Sequence, residues 1–155
     1  MARTAKSKRK SNKTQWTLNV CRHEAIVNGR LVHVIFNEET QLADITLYPT
    51  AQNGFYDAYS KMEVPTLDKA LALAESMAHH LPSQGVEWTE EGDSYRSVIG
   101  GRMVVAVFNH RVQAVNITIY TRPDGGISAG TARAQIGSVE SGLSLTASMA
   151  VAMSA

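Results

Sequence analysis

The chain has 155 residues, of which 44% are hydrophobic and 19% are charged, and this range is typical of one compact domain or of two small ones that share a core. It contains no run of about 18 apolar residues, no apolar segment behind its basic N-terminus, and a single cysteine, Cys21. We therefore expect no membrane span, no signal peptide, no internal disulfide and no multi-cysteine metal site, and we predict a cytoplasmic protein.

The net charge of +1 conceals a basic N-terminal arm attached to an acidic body. Residues 1–13 hold six cations and no acid, so the rest of the chain carries 9 basic and 14 acidic side chains. Because this arm has almost nothing apolar to bury, we expect it to be disordered on its own and to act through charge, either on phosphates or as a solubilising tail or a localisation signal around Lys8-Arg9-Lys10. Its cations are Arg3, Lys6, Lys8, Arg9, Lys10 and Lys13.

The sequence repeats after 72 residues. Residues 28–48 return as 100–120 with nine identities in 21 positions, and 16–78 against 88–150 gives 17 identities in 63 positions without a gap. We therefore predict a tandem duplication, with repeat 1 at 14–82 and repeat 2 at 86–155. The Gly-, Ser- and Ala-rich end of the chain is in register with repeat 1, so we expect it to fold.

The first strands of each repeat are predicted to form a hairpin. Asn28-Gly29 and Gly100-Gly101 lie between apolar runs and suit the positive φ angles of two-residue turns. The runs that follow, 31–36 and 103–108, are almost continuously apolar, which is typical of strands covered on both sides.

The later strands of each repeat are less uniform. Residues 43–48 and 115–120 alternate between apolar and polar side chains, which predicts one buried and one wet sheet face. Residues 55–64 and 127–136 are weaker candidates for a fourth strand.

Each repeat ends in a predicted helix. Thr66 precedes apolar residues at helical spacing from Leu67 and can cap that helix, and Ser138 does the same before Val139. Because about 72 residues are marginal for folding alone, we expect the two repeats to share one core. The predicted fold class is α+β: a tandem duplication of an antiparallel β-meander of three to four strands followed by one helix, packed as a pseudo-two-fold dimer.

No catalytic, metal or cofactor site is predicted. The histidines lack metal-ligand spacing, and none is matched by a histidine 72 residues away. The paired acids and paired glycines are explained by turns, so we expect a protein without enzymatic activity or cofactor. The histidines are His23, His33, His79, His80 and His110.

Two repeated pairs of polar residues are candidates for binding. Arg30 and Arg102 begin the predicted second strands, where they are either solvated charges or repeated phosphate contacts. Tyr48 and Tyr120 lie on the predicted wet face, where they could stack on bases, an interaction worth ~1–3 kcal/mol per base.

The order of elements, with hairpins at Asn28-Gly29 and Gly100-Gly101 and helices starting near Thr66 and Ser138, resembles the Whirly-like single-strand-binding architecture. In that architecture two ββββα units associate through their helices, and the sheets bind nucleic acid. The resemblance implies a non-enzymatic nucleic-acid-binding protein, with single strands favoured. The alternative is a small accessory or inhibitor module, for example of viral type, whose acidic body binds a basic protein partner. Neither hypothesis involves a membrane.

Overall fold

The computed structural model of the chain describes residues 13–79 and 85–154. The predicted arm cations other than Lys13 lie outside the described residues, as do residues 80–84, which include His80, and residue 155. Within these ranges the chain forms ten strands and two helices. In chain order they are β1 Thr17–Asn19, β2 Arg22–Val27, β3 Arg30–Asn37, β4 Leu42–Leu47, β5 Ala58–Glu63, α1 Leu67–His79, β6 Thr89–Glu91, β7 Ser94–Ile99, β8 Arg102–Asn109, β9 Ala114–Arg122, β10 Gly125–Gln135 and α2 Val139–Ser154.

All ten strands belong to one antiparallel sheet. Strands β1 to β5 lie side by side in chain order, β10 then pairs with β5, and the order returns through β9, β8 and β7 to β6. At the junction Tyr59 lies opposite Arg133, and Lys61 lies opposite Thr131. The predicted α+β class with an antiparallel sheet is therefore confirmed.

Both helices cover the same face of the sheet. Helix α1 packs on β2, β3 and β4, helix α2 packs on β7, β8 and β9, and the helices contact each other. The core lies between this helix layer and the sheet, as the alternation predicts: the β4 residues Ala43, Ile45 and Leu47 are at most 1% exposed. Neither helix has the length and hydrophobicity needed to cross a bilayer.

The starts of both helices were predicted correctly. Thr66 Oγ1 accepts a hydrogen bond from the backbone nitrogen of Lys69 at 3.2 Å, and Ser138 Oγ accepts one from Ser141 at 3.1 Å. These caps satisfy amide groups that the first helical turn leaves unpaired.

Two expectations about the strands were wrong. The halves contain five strands each, not three to four, because β1 and β6 are exposed three-residue edge strands, too short for any hydrophobic periodicity. The runs of β3 and β8 are not covered on both sides throughout: on the side away from the helices His33 is buried, but Ile35 is 40% and Val107 is 41% exposed. A continuous apolar run in a one-sided sheet places alternate apolar side chains in solvent.

The turns of the two halves have matching geometry. Gln41 and Gln113 adopt φ angles of 58° and 53°, which are uncommon for residues other than glycine. The carbonyl of Gln41 accepts a hydrogen bond from Val64, and that of Gln113 accepts one from Ile136. Each glutamine thus ties a β-turn to the segment that leads into the following helix.

Candidate functional site

Both helices pack on one face of the sheet, and neither of them covers the opposite face. We name this surface the open face and define it by the strand residues that alternate with the buried ones. Its members, from β2 to β7 across the sheet, are Arg22, Glu24, Ile26, His33, Ile35, Asp44, Thr46, Tyr48, Tyr59, Lys61, Thr131, Arg133, Asn116, Thr118, Tyr120, Val105, Val107, Arg96 and Val98.

Two exposed cations lie at the centre of the open face, on the paired strands β5 and β10. Lys61 has a side chain 53% exposed, and its Nζ lies 3.8 Å from Asp44 Oδ1. Arg133 is exposed and donates from Nη1 to Asn116 Oδ1 at 3.4 Å. Both long contacts leave donors directed at solvent, so the centre of the face can receive an anionic group.

Aromatic rings lie beside these cations. The Tyr59 hydroxyl donates to Asp44 Oδ1 at 3.0 Å, and its ring centroid is 6.4 Å from that of Tyr56. Partial burial, together with the nearby Asp44 carboxylate, raises the pKa of Tyr59, so this phenol remains neutral and available as a flat ring. Phe55, in the loop before β5, is 96% exposed.

A shallow depression of about 310 Å³ opens between Tyr59 and β9. Its lining includes Asn116, Thr118, Thr131 and Arg133. An amide, two hydroxyls and a guanidinium around an aromatic ring provide hydrogen-bond donors and acceptors next to an apolar surface.

Sequence reasoning did not single out Tyr59 and Lys61. Both lie on the weakly predicted fourth strand, and both alternate with the buried residues Ser60 and Met62. The alternation of exposed and small or apolar residues along 58–63 was the available signal.

The predicted arginines and tyrosines do not lie together. Arg30 starts β3 in register with buried Val32 and Val34, which places it on the helix side of the sheet. Its guanidinium pairs with the Asp57 carboxylate and donates from Nε to the Tyr48 carbonyl at 3.0 Å. Arg30 therefore ties neighbouring strands together.

Arg102 repeats one of these contacts on β8. Its Nη1 donates to the carbonyl oxygen of Tyr120 at 3.4 Å. The two tyrosine side chains themselves are half-buried on the open face, toward the strand ends. The structure therefore separates the tyrosines, which lie on the open face, from the arginines, which lie on the helix side.

A histidine is buried on the open face away from the centre. His33 is 6% exposed, packs edge-on against Tyr48 with centroids 5.0 Å apart, and lies 3.8 Å from Glu24. Burial, reinforced by the positive charge of Arg22, lowers the pKa of His33, although Glu24 opposes this shift. The neutral imidazole is thus a packing element.

The predicted basic arm joins the body on the helix side of the sheet. Lys13 is exposed, and the next residues are fixed: Thr14 Oγ1 and Trp16 Nε1 donate to the Glu75 carboxylate of α1 at 3.0 and 3.1 Å. The arm therefore begins beside α1 at the β1 edge, away from the centre of the open face.

Among the described residues, no three His, Cys, Asp or Glu side chains are grouped so that they could hold a metal ion. No protein-family model, no curated protein sequence and no solved structure matches the chain, so its function must be inferred from the open face and its side chains.

Proposed function

We propose that this chain is a cytoplasmic, non-enzymatic protein that binds single-stranded nucleic acid through the centre of its open face and through its basic arm. One observation carries the proposal: Lys61 and Arg133 are both exposed on adjacent strands, in the middle of a ten-strand face that the helices leave uncovered. Cations in such a position fix phosphates, and the sheet around them presents polar and aromatic side chains to bases.

The acidity of the body does not oppose this proposal. Of its 14 acidic residues, only four alternate onto this side of the sheet. Glu24 is engaged with Arg22, and Asp44 accepts hydrogen bonds or charge contacts from Tyr59 and Lys61. The remaining two, Glu63 and Glu91, terminate their strands, and the other ten acids lie elsewhere.

We further propose that the two halves arose by duplication and pack as a pseudo-two-fold dimer about the β5–β10 junction. Matched turns support this, because Gln41 and Gln113 share an unusual φ angle and the same carbonyl bond. Lys61 and Arg133 are 72 residues apart, so in this proposal they are one ancestral cation present twice. One of these two cations lies on each side of the proposed pseudo-two-fold axis.

The remaining predicted contacts have secondary roles in this proposal. Tyr48 and Tyr120 add contact surface for the strand outside the centre of the open face. Arg30 and Arg102 stabilise the sheet through their bonds to the carbonyls of these tyrosines. The arm adds sequence-independent affinity for phosphate. Its cations are Arg3, Lys6, Lys8, Arg9, Lys10 and Lys13.

The test compares two charge-matched double variants. Lys61→Ala with Arg133→Ala removes the central cations, whereas Lys69→Ala with Arg111→Ala removes one cation from α1 and one from the β8–β9 turn. Affinity for a fluorescent single-stranded oligonucleotide is measured by anisotropy at several salt concentrations between about 50 and 200 mM.

We expect the central variant to bind more weakly and its log–log salt slope to become shallower by roughly 1.4, or 0.7 for each lost phosphate contact. The control should retain the slope of the wild-type protein. Deletion of residues 1–13 should make the slope shallower independently. Equal binding by the central and control variants would reject the open face, and no binding by the full chain would reject the whole proposal.

A second candidate is the protein-binding module, in which the acidic body binds a basic partner. It is favoured by apolar side chains on the outer parts of the open face, since Ile26 is 53% and Val98 is 55% exposed. Capture of one stoichiometric protein from nuclease-treated lysate, together with no affinity for oligonucleotides, would replace the first proposal with this one.

A further inference from the structure

We infer that Tyr59, with the ring of Tyr56 near it and Phe55 preceding Tyr56 in the chain, forms a base-stacking subsite that is present once per chain and lies next to the phosphate contacts Lys61 and Arg133. This inference rests on the proposed function and specifies which residues hold the bases. The ligand is a segment of single-stranded nucleic acid whose unstacked bases can lie on aromatic rings.

The exposure of these rings is the first argument. Phe55 is 96%, Tyr56 is 58% and Tyr59 is 39% exposed. Aromatic side chains contribute most to stability when buried, so three neighbouring exposed rings do little for this fold. The 54° tilt between the Tyr56 and Tyr59 rings shows that they are not stacked face to face on each other, so ring surface remains available to a ligand.

The surroundings of Tyr59 are the second argument. Arg133 lies directly opposite Tyr59 across the β5–β10 junction. The depression beside the ring also exposes the amide of Asn116 and the hydroxyls of Thr118 and Thr131. A base stacked on Tyr59 would thus meet hydrogen-bonding groups at its edge and a cation within reach of its phosphate.

The third argument is that the aromatic cluster exists on one side only. The residues 72 positions after Phe55, Tyr56 and Tyr59 are Ile127, Ser128 and Thr131. None of these has a ring, and Ile127, which is 78% exposed, lies within β10 and not in a loop. The cations are therefore doubled, whereas the stacking surface is single.

The same features favour a nucleic acid over a protein as the occupant. The exposed aliphatic residues of the open face, which would suit a protein partner, are Ile26, Ile35, Val98 and Val107 on β2, β3, β7 and β8, nearer the sheet edges. Around Tyr59 the neighbours are instead the cation Arg133, polar side chains, and the carboxylate of Asp44, which is bound to the Tyr59 hydroxyl and lies 3.8 Å from Lys61. Rings combined with cations and amides suit bases and phosphates.

The test separates stacking from phosphate binding by using two oligonucleotides of equal length. One is oligothymidine, and the other is the abasic form, which keeps the phosphates and lacks the bases. The variants are Tyr59→Ala and Tyr56→Ala, with Tyr59→Phe as the conservative replacement that retains the ring. Phe55→Ala is matched by Ile127→Ala, which truncates another exposed apolar side chain, 78% exposed against 96% for Phe55, in the other half.

We expect the wild-type protein to prefer oligothymidine over the abasic form by roughly 5- to 150-fold, the range that corresponds to stacking of one base. Tyr59→Ala should reduce this preference toward unity while leaving affinity for the abasic form unchanged. Tyr59→Phe and Ile127→Ala should retain it. Saturation at one short oligothymidine per chain is expected.

Equal affinity of the wild-type protein for both oligonucleotides would overturn the stacking subsite while leaving phosphate binding by Lys61 and Arg133 in place. A preference that survives both tyrosine-to-alanine changes would also overturn it. Saturation at two strands per chain would show that the site is not single. If neither oligonucleotide binds the full chain, the proposed function and this inference both fail. The wild-type comparison and Tyr59→Phe do not depend on whether the alanine variants fold.

Discussion

Arg30 donates a hydrogen bond from Nε to the backbone carbonyl oxygen of Tyr48 at 3.0 Å, from the first residue of β3 to the residue that follows β4. At the corresponding place in the other half, Arg102 donates from Nη1 to the carbonyl oxygen of Tyr120 at 3.4 Å. Both arginines therefore donate to backbone carbonyl oxygens of the neighbouring strand, and we expect them to contribute to stability.

Replacement of Arg30 by Ala should lower the free energy of unfolding by about 1–3 kcal/mol, because it removes the carbonyl bond and leaves the Asp57 carboxylate without its guanidinium. The matched change Arg102→Ala loses a longer, weaker bond and should cost less than about 1 kcal/mol. Urea denaturation of both variants measures the difference. Unchanged stability combined with weaker oligonucleotide binding would instead identify Arg30 as a ligand contact.

Gly142 of α2 lies against the ring of Phe108 on β8. A β-carbon at this position would be 2.5 Å from two atoms of that ring, so Gly142→Ala should lower stability by ~1–3 kcal/mol despite the better helix propensity of alanine. Gly137→Ala is the control, since nothing lies within 4 Å of its added carbon. Adding Phe108→Leu to Gly142→Ala should recover part of the loss in a double-mutant cycle. Additive effects would contradict the contact.

Glu75 fixes the segment that precedes β1 by accepting hydrogen bonds from Thr14 and Trp16. We expect Glu75→Ala to free this segment, because the change removes both acceptor oxygens. The residue 72 positions later, Ala147 of α2, likewise offers no side-chain acceptor. In a Trp88→Phe background, the emission of Trp16 should shift to longer wavelength, and proteases should cleave near residue 16 faster. Glu75→Gln, which keeps one acceptor oxygen, should have an intermediate effect. An unchanged emission spectrum would show that packing alone holds Trp16.

Stability should fall as the pH drops below about 6.5 because of His33. Its pKa is lowered by burial and by Arg22, so the unfolded chain takes up the proton first as the pH drops. The stabilisation is therefore complete above about pH 6.5 and is lost as the pH falls through the folded-state pKa, by at most ~1.4 kcal/mol per pH unit. The pKa of Glu24, the nearby acid, is also lowered, but it titrates below pH 4.5, outside this window.

His33→Gln removes this titration and should flatten the dependence of the urea midpoint on pH. His110→Gln is the control, since His110 is exposed and bound to Asp93 at 3.1 Å. Parallel pH profiles for the wild-type protein and His33→Gln would show that the buried imidazole is not the titrating group.

The elements that could be predicted from the sequence are those marked by local chemistry. The turns at 28–29 and 100–101 were marked by Asn and Gly, and the capping hydroxyls of Thr66 and Ser138 marked the helix starts. The Gly-, Ser- and Ala-rich end of the chain could be predicted to form a helix because residues 139–150 are in register with 67–78, and it forms α2.

The open face was harder to predict because it depends on pairings between distant residues. Tyr59 and Arg133 become neighbours only when β5 pairs with β10, and no short-range pattern specifies that pairing. The side on which Arg30 lies could have been predicted, because it is two residues before buried Val32 on the same strand. The distribution of acids between loops, helix side and open face could not be derived from a net charge.

The one-sided position of Phe55, Tyr56 and Tyr59 has a consequence for the orientation of a ligand. A homodimer built from two identical chains would present the same contacts to a strand running in either direction. Here the second half offers Ile127, Ser128 and Thr131 at those positions, so the 5′ and 3′ ends of a bound strand would meet different surfaces. In the proposed complex, a chain carrying both halves would therefore distinguish the two directions of a bound strand.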